Sequence, residues 1–312
     1  MRYFPYLRGR MYDLRGLKAL VTNGELAPQI VPLIEPVRDS RELQQTVTAL
    51  ITAQHPFSVV ANPQVSVYGL NSEKLYPLPD FSQLPFYYPS AILAPDFSHD
   101  FLQTSPGQRS LLIAPNYELL RAYAATNVFQ QVSGILVPDE ARLRRLAGTK
   151  ALTLTDPMPF VGRVEDYASL PDAFFAPANW WQTIPERWGF GDYGISGSFY
   201  FDKGMPSRAI AIHLVYVTAD GSLRVHHFVS DSNATMSGQK QKFFEALAKL
   251  AVWAPEHLRG LNQTPALSAL LAYHTQQKFP GLGIVKQLSL MHHWQLMGRL
   301  LTSARHEVNP LG

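Results

Sequence analysis

The chain has 312 residues, of which 46% are hydrophobic and 16% charged, so it can bury a large core and is not typical of a disordered protein. Its net charge of +3 is too small to indicate nucleic-acid binding, which requires clustered Lys and Arg. The absence of cysteine excludes disulfides, thiolate metal ligands and thiol nucleophiles.

No segment of the sequence has the features of a targeting or membrane-spanning element. Residues Met1 to Arg10 contain no apolar core of the kind found in signal peptides. No window approaches the 18 uninterrupted apolar residues that a membrane helix requires. We therefore expect a cytoplasmic protein without a membrane partner.

A short apolar run that ends in a proline paired with a carboxylate or amide recurs through the first 180 residues. Runs without polar alternation are typical of strands buried on both faces, and such strands form parallel sheets when helices alternate with them. Proline ends each strand because it cannot donate to the ladder. Eight copies predict a (β/α)8-like barrel. The copies are Tyr3–Leu7, Val31–Pro36, Ser58–Pro63, Ile92–Asp96, Leu112–Asn116, Ile135–Asp139, Leu152–Pro157 and a weaker one at Phe174–Asn179.

The pattern changes near residue 185, so we predict a barrel core over residues 1–185 and a second region over residues 186–312. Asp220-Gly221 between two runs of β-forming residues is a strong hairpin signal. The second region is therefore expected to add a loop, a β-hairpin and helices that pack on the barrel. Its predicted parts are a loop with one or two short strands over Gly189–Gly204, hairpin strands Ala209–Val217 and Ser222–Ser230, and helices Gln239–Trp253, Thr264–Gln277 and His292–Ser303.

Several segments resemble a prokaryotic family allied to the beta protein of T-even phages. The matching segments are Phe4–Arg10, Ile34–Pro36, Phe190–Tyr193, Ala211–Leu214, His227–Ser232, Phe279–Gly283 and Ser289–His293. The resemblance spans nearly the whole chain and implies no established activity, cofactor or site residue. Genes of this family lie in mobile or defence-related neighbourhoods, beside a gene for another small protein. The partner that the resemblance implies is the product of a neighbouring gene.

Barrel enzymes place their reactive groups at the carboxyl ends of the strands. Carboxylates there could hold a divalent cation such as Mg²⁺ or act as general acid and base, which makes Glu35 and Asp156 catalytic candidates. Arg8 and Arg10 could bind a phosphate or carboxylate. A structural alternative exists, because Asn and Asp beside proline also start turns and cap helices. The polar residues that the pattern places at this rim are Glu35, Asn62, Asp96, Asn116, Asp139 and Asp156, of which Asn62 and Asp96 are substrate-binding candidates.

A second set of candidates lies nearer the carboxyl terminus. Asp192 lies in a glycine-flanked segment and His213 lies on a predicted strand, and both are further catalytic candidates. Asp231 and His292 are further candidates for substrate binding. A His and a carboxylate could form a metal site, but no His-x-x-x-His spacing occurs, so neither a metal nor a cofactor is assigned. The structural alternative is that a strand His on an apolar face is a core residue.

Familiar catalytic motifs are absent, including the phosphate-binding loop, the dinucleotide fingerprint and the nucleophile elbow. The favoured hypothesis is therefore a non-catalytic partner or scaffold protein of a phage-defence or mobile-element system, acting through protein–protein interaction. The alternative is a barrel hydrolase, metal-dependent or not, that acts on a phosphorylated or nucleotide-like substrate. Convergence of Arg8, Arg10, Glu35 and Asp156 on one open pocket would favour the enzyme.

Overall fold

The structure is a computed structural model that describes residues 1–70, 72–103, 108–178, 180, 188–202 and 207–308, with side chains to residue 303. Its strands are β1 Arg2–Arg8, β2 Leu33–Glu35, β3 Ser58–Val59, β4 Ser90–Ile92, β5 Leu111–Ile113, β6 Gly134–Val137, β7 Ala151–Thr155, β8 Asp172–Ala176, β9 Gly189–Asp192, β10 Ala211–Val217 and β11 Leu223–Val229. Its α-helices are α1 Met11–Thr22, α2 Arg41–Thr52, α3 Tyr117–Ala124, α4 Val128–Gln131, α5 Ala141–Ala147, α6 Gln239–His257, α7 Pro265–Gln276 and α8 Leu282–Val308. No helix of the described residues is long and apolar enough to cross a membrane.

The chain divides into two compact units. Unit 1 comprises Met1–Asp156 and Trp181–Tyr193, and unit 2 comprises Pro157–Trp180 and Gly194–Gly312. This division differs from the predicted single boundary after residue 185, because the chain leaves unit 1 after Asp156 and returns to it for one strand.

Unit 1 is built on eight parallel strands in the order β3-β2-β1-β9-β7-β6-β5-β4. Parallel bridges from Phe57 to Tyr87 and from Val60 to Ser90 join the two ends of this sheet. The predicted (β/α)8-like barrel is therefore confirmed. Its strands follow one another around the barrel in chain order, as the right-handed crossovers of such folds require.

The core of unit 1 has two layers. Alternate side chains of the strands, among them Phe4, Tyr6 and Leu33, form one buried cluster. Neighbours of opposite parity on β4 to β7, such as Ala91 and Ile135, form a second cluster with the helices that follow these strands. Since successive strand residues point to opposite faces, the first cluster fills the barrel and the second lies outside it.

The eighth barrel strand is β9, and the prediction that placed it at Phe174–Asn179 is wrong. Residues 172–176 form β8, which pairs antiparallel with β11 in unit 2, and Asn179 lies outside the described residues. Phe174 is 57% exposed, so this strand is not buried on both faces. The segment of β9 was predicted as a loop with one or two short strands outside the barrel, because Gly189 and Gly191 do not resemble a barrel strand.

The glycines of β9 allow it to lie close to β1. A Cβ at Gly189 would lie 2.5 Å from the ring of Phe4, and one at Gly191 would lie 2.6 Å from the backbone oxygen of Phe4. A backbone oxygen in a paired strand cannot rotate away as a side chain can. Packing inside the barrel therefore requires glycine at both positions.

We expect Gly191→Ala to lower the free energy of unfolding by about 2 kcal/mol, because the added methyl group overpacks the barrel against β1. Chemical denaturation followed by circular dichroism measures this change. The matched control is Gly162→Ala, whose Cβ would lie 3.6 Å from Asp166 in ordinary contact, and which should change stability by less than about 0.5 kcal/mol. Similar losses in the two variants would contradict this account of β9.

Unit 2 contains a three-stranded antiparallel sheet in the order β10-β11-β8, with α6, α7 and α8. The predicted hairpin is confirmed, since β10 pairs with β11 and the turn between them contains Gly221 at φ +82°. The last helix begins at Leu282, ten residues before its predicted start at His292. Tyr216 and Phe228 on one sheet face contact Trp253 of α6.

Candidate functional site

Arg8 and Glu35 lie side by side at the carboxyl ends of β1 and β2, where they are register partners. Phe4 and Tyr6 belong to the cluster that fills the barrel, and strand alternation places Arg8 on the same face. Leu33 of β2 belongs to the same cluster, so strand alternation also places Glu35 on the face that points into the barrel. The sequence prediction that Arg8 and Glu35 lie together at the barrel rim is consistent with this geometry.

Glu35 is fully buried and both of its carboxylate oxygens accept hydrogen bonds. Oε2 accepts a bond of 2.7 Å from the Tyr6 hydroxyl and also pairs with the Arg8 guanidinium. Oε1 accepts the backbone N–H of Gln64 at 2.7 Å. A buried carboxylate is stable only when it is compensated in this way. This set of contacts identifies Glu35 as a charge that binds three parts of the barrel together.

Two tyrosines enclose the Arg8 guanidinium. Its central carbon lies 5.0 Å from the ring centre of Tyr6 and 5.7 Å from that of Tyr193. Burial raises the pKa of Tyr193 to about 12, opposed by the positive charge of Arg8 and aided by the negative charge of Asp156. Burial also raises the pKa of Tyr6. Both phenols are therefore protonated at neutral pH, and Tyr6 acts as a hydrogen-bond donor.

Three other predicted rim residues lie at the ends of the barrel strands. Asn62 completes the pairing of β3 with β4: its side chain donates to the oxygen of Ile92 and accepts from the N–H of Ile92, both at 2.8 Å. Asp156 is exposed directly after β7, near enough to Tyr193 to affect its pKa. Arg10 is the residue that precedes α1. Asn62 thus has a structural role, while Asp156 is accessible to solvent.

The remaining strand-end residues do not converge with Glu35. Asp96 is exposed in the turn after β4, and Asn116 caps α3 by accepting the N–H of Leu119 at 2.9 Å. Asp139 forms an exposed ion pair with Arg144. The predicted ring of carboxylates is therefore not assembled. Within the described residues no group of three or more His, Asp or Glu side chains is arranged to hold a metal ion.

Asp192 is separated from the barrel mouth although it belongs to a barrel strand. It is buried and accepts a hydrogen bond of 2.7 Å from the hydroxyl of Tyr3. Tyr3 alternates with Phe4 along β1, so it lies on the outer face of the barrel. Burial raises the pKa of Tyr3, and the negative charge of Asp192 raises it further. Asp192 therefore faces away from the cluster around Glu35.

In unit 2, His213 forms a pair with a second histidine, His227, which lies opposite it on β11. Their Nδ1 atoms lie 2.7 Å apart, so one imidazole donates to the other. The ring of Tyr167 contacts both of them. Burial lowers the pKa of His213 to about 3 and that of His227 to about 4, so both rings are neutral at pH 7.

His292 connects three elements of unit 2 and is completely buried. Its Nε2 donates to the oxygen of Val215 on β10 at 2.8 Å. Its Nδ1 therefore accepts the hydroxyl proton of Thr264 at 2.7 Å, and Thr264 in turn caps α7. Asp231 is exposed after β11 and pairs with Lys249. Both nitrogens of His292 are thus used within the fold, and Asp231 lies elsewhere on the surface.

Sequence reasoning missed several of the residues that complete these clusters. Tyr6 could have been found, because it lies two residues before Arg8 on the same strand face. Tyr193 could not, since the segment of β9 was not predicted to belong to the barrel. In unit 2, Asp172 accepts hydrogen bonds from Tyr216 and His226 and pairs with Arg224, and only the contact between β8 and β11 brings these residues together.

Comparisons with known proteins add no relative to this description. No family model matches the chain, and neither a curated protein nor a solved structure matches it. The fold and the polar contacts described above are therefore the basis for any functional conclusion.

Proposed function

We propose that this chain is a non-catalytic binding protein, a partner or scaffold component of a phage-defence or mobile-element system. The observation that carries the proposal is the state of Glu35, whose two carboxylate oxygens are occupied by three internal donors. A general base needs an oxygen within reach of the substrate proton. The resemblance to the phage-allied family supplies the biological setting and the neighbouring gene product as partner.

The alternative of a barrel hydrolase has less support. Arg8 is paired with Glu35 and enclosed by two tyrosine rings, so its charge is already compensated. Asp192 and Asp96 lie apart from this pair. Of the predicted carboxylates, Asp156 is the one that is both exposed and near the mouth cluster. A hydrolase would therefore have to depend on Asp156.

Coexpression of the tagged full chain with the product of the neighbouring gene tests the proposal. We expect the two proteins to remain together through affinity purification and size-exclusion chromatography at a fixed ratio. The same preparation is assayed for hydrolysis of bis(p-nitrophenyl) phosphate with Mg²⁺ or Mn²⁺ added. Separate elution of the two proteins would overturn the proposal. So would phosphodiester hydrolysis by the wild-type chain that Asp156→Asn abolishes.

A further inference from the structure

The pair formed by His213 and His227 lies on a face of the hairpin that is otherwise suited to apolar side chains. The two residues are directly opposed on β10 and β11. The next opposed pair on the same face is Val215 and Val225, both fully buried. Valines make such a cross-strand contact without any polar atom that needs a partner. Packing alone therefore does not account for two histidines at this position.

The pair also leaves a buried polar atom unsatisfied. His227 is 3% exposed, and its Nε2 has no hydrogen-bond partner among the described residues. A buried nitrogen of this kind costs free energy on folding. In native structures such an atom is an exception, and a redox, catalytic or ion-binding role is a common reason for it. A ligand of the pair would explain why the chain keeps both imidazoles.

The two Nδ1 atoms converge on one point, 2.7 Å from each other. Only one of them carries the shared proton, so the other directs a lone pair at its partner. A metal ion can take the place of this proton, which then moves to Nε2 of the donating ring, and both rings stay neutral. Because a metal–nitrogen bond is about 2.0 Å long, the two nitrogens would lie at most about 4 Å apart. Rotation of the two side chains provides this small separation.

The surroundings of the pair favour a soft, monovalent ion. Burial lowers the pKa of His227 and the negative charge of Asp172 opposes this shift, but that carboxylate is already paired with Arg224. A dication between two neutral, buried rings would lack a counter-charge, which is costly. Tyr167 contacts both rings, and the thioether side chain of Met158 packs against the cluster that contains Tyr167. Imidazole and thioether groups are typical of copper sites, and thioethers select Cu⁺.

We propose that Nδ1 of His213 and Nδ1 of His227 bind one Cu⁺ ion between them. The ion reaches the pair from the side of His213, which is partly exposed to solvent. A pair of nitrogen ligands is sufficient for Cu⁺, whereas structural zinc sites use four ligands and Mg²⁺ requires an octahedral set of oxygens. This inference is independent of the partner-binding proposal, which needs no metal.

Anaerobic titration of the full chain with Cu⁺, in competition with the chromophoric chelator bicinchoninate, tests the inference. We expect the wild type to withdraw one equivalent of Cu⁺ from the chelator and to unfold at a higher temperature with the ion bound. His213→Phe keeps an aromatic ring but removes one ligand, and it should lose both effects. The matched control, His257→Phe, replaces a histidine of the same unit that is 45% exposed, and it should behave as the wild type does. No withdrawal of Cu⁺ by the wild type, or equal withdrawal by folded His213→Phe, would overturn the inference.

A measurement on the wild-type chain identifies the ligand atoms even if His213→Phe does not fold. Ag⁺ shares the ligand preference of Cu⁺, and its nuclei couple to a directly bonded ¹⁵N nucleus. The full chain labelled with ¹⁵N-histidine is titrated with Ag⁺ and followed by NMR. We expect Nδ1 of His213 and Nδ1 of His227 both to show coupling to silver, with the ring protons on Nε2. Coupling at fewer than both of these nitrogens would overturn the assignment.

Discussion

Replacement of Glu35 by glutamine is expected to lower the free energy of unfolding by about 3 kcal/mol, because it leaves the Arg8 charge without its buried partner. The side chain of Glu35 is 0% exposed and that of Arg8 is 16% exposed, so water compensates little of the lost attraction. Glutamine also replaces one acceptor oxygen by a donor, which conflicts with Tyr6 or with the N–H of Gln64. Chemical denaturation at pH 7 measures the loss.

The matched control for this prediction lies on the surface of the same unit. Glu42 pairs with Arg15 at 2.9 Å, but both side chains are partly exposed. We expect Glu42→Gln to cost less than about 1 kcal/mol, as for other exposed ion pairs. If Glu35→Gln were as stable as the control, Glu35 would not hold the barrel together. The hydrolase alternative, in which Glu35 is a catalytic group that can be replaced without loss of stability, would then regain support.

Acidification is expected to destabilise the chain between about pH 6.5 and pH 4. Burial lowers the pKa of His292 to about 4, opposed by its hydrogen bond to Val215, whereas the unfolded chain titrates near 6.5. The unfolded state therefore binds more protons in this interval, and the free energy of unfolding falls as the pH falls. His292 alone contributes a loss on the order of 3 kcal/mol, complete near its folded pKa. His213 and His227 act in the same direction.

Denaturation curves at pH 7.5, 6.5, 5.5 and 4.5 measure this dependence. In His292→Gln the buried group no longer titrates. The free energy of unfolding of the variant should therefore depend less steeply on pH below 6.5, and its slope should be smaller than that of the wild type by about 1.4 kcal/mol per pH unit. The control is His274→Gln, a change at a partly exposed position of α7, which should keep the wild-type slope. Equal slopes in wild type and His292→Gln would show that His292 is not a buried neutral ring.

The barrel could be predicted because seven of its strands carry the same signal. Short apolar runs that end beside proline report burial on both faces, and that property is local to each run. The eighth strand could not be predicted this way, because Gly189 and Gly191 are required by a close contact with Phe4, which lies at least 185 residues earlier in the sequence. Phe174-Phe175 shows the converse error, since an apolar pair can belong to a strand with one exposed face.

The location of the candidate site could be predicted from the sequence, but the hydrogen bonds of its side chains could not. The ends of β1 and β2 placed Arg8 and Glu35 at one edge of the sheet, as expected from parallel pairing. Their chemistry also depends on the backbone N–H of Gln64, which donates to Glu35 and which the sequence does not mark as a partner. His213 was singled out on its strand, but its pairing with His227 through Nδ1 required the register of the hairpin.

The path of the chain through the two units has a consequence for biosynthesis. β9 lies between β1 and β7, yet residues 157–180 of unit 2 are translated before it. Until residue 193 has left the ribosome, β1 and β7 each present an open edge to other nascent chains, a state that favours misassembly. A fragment that stops at residue 180 lacks the last strand of the cylinder. Neither unit can therefore be expressed as one uninterrupted stretch of this gene.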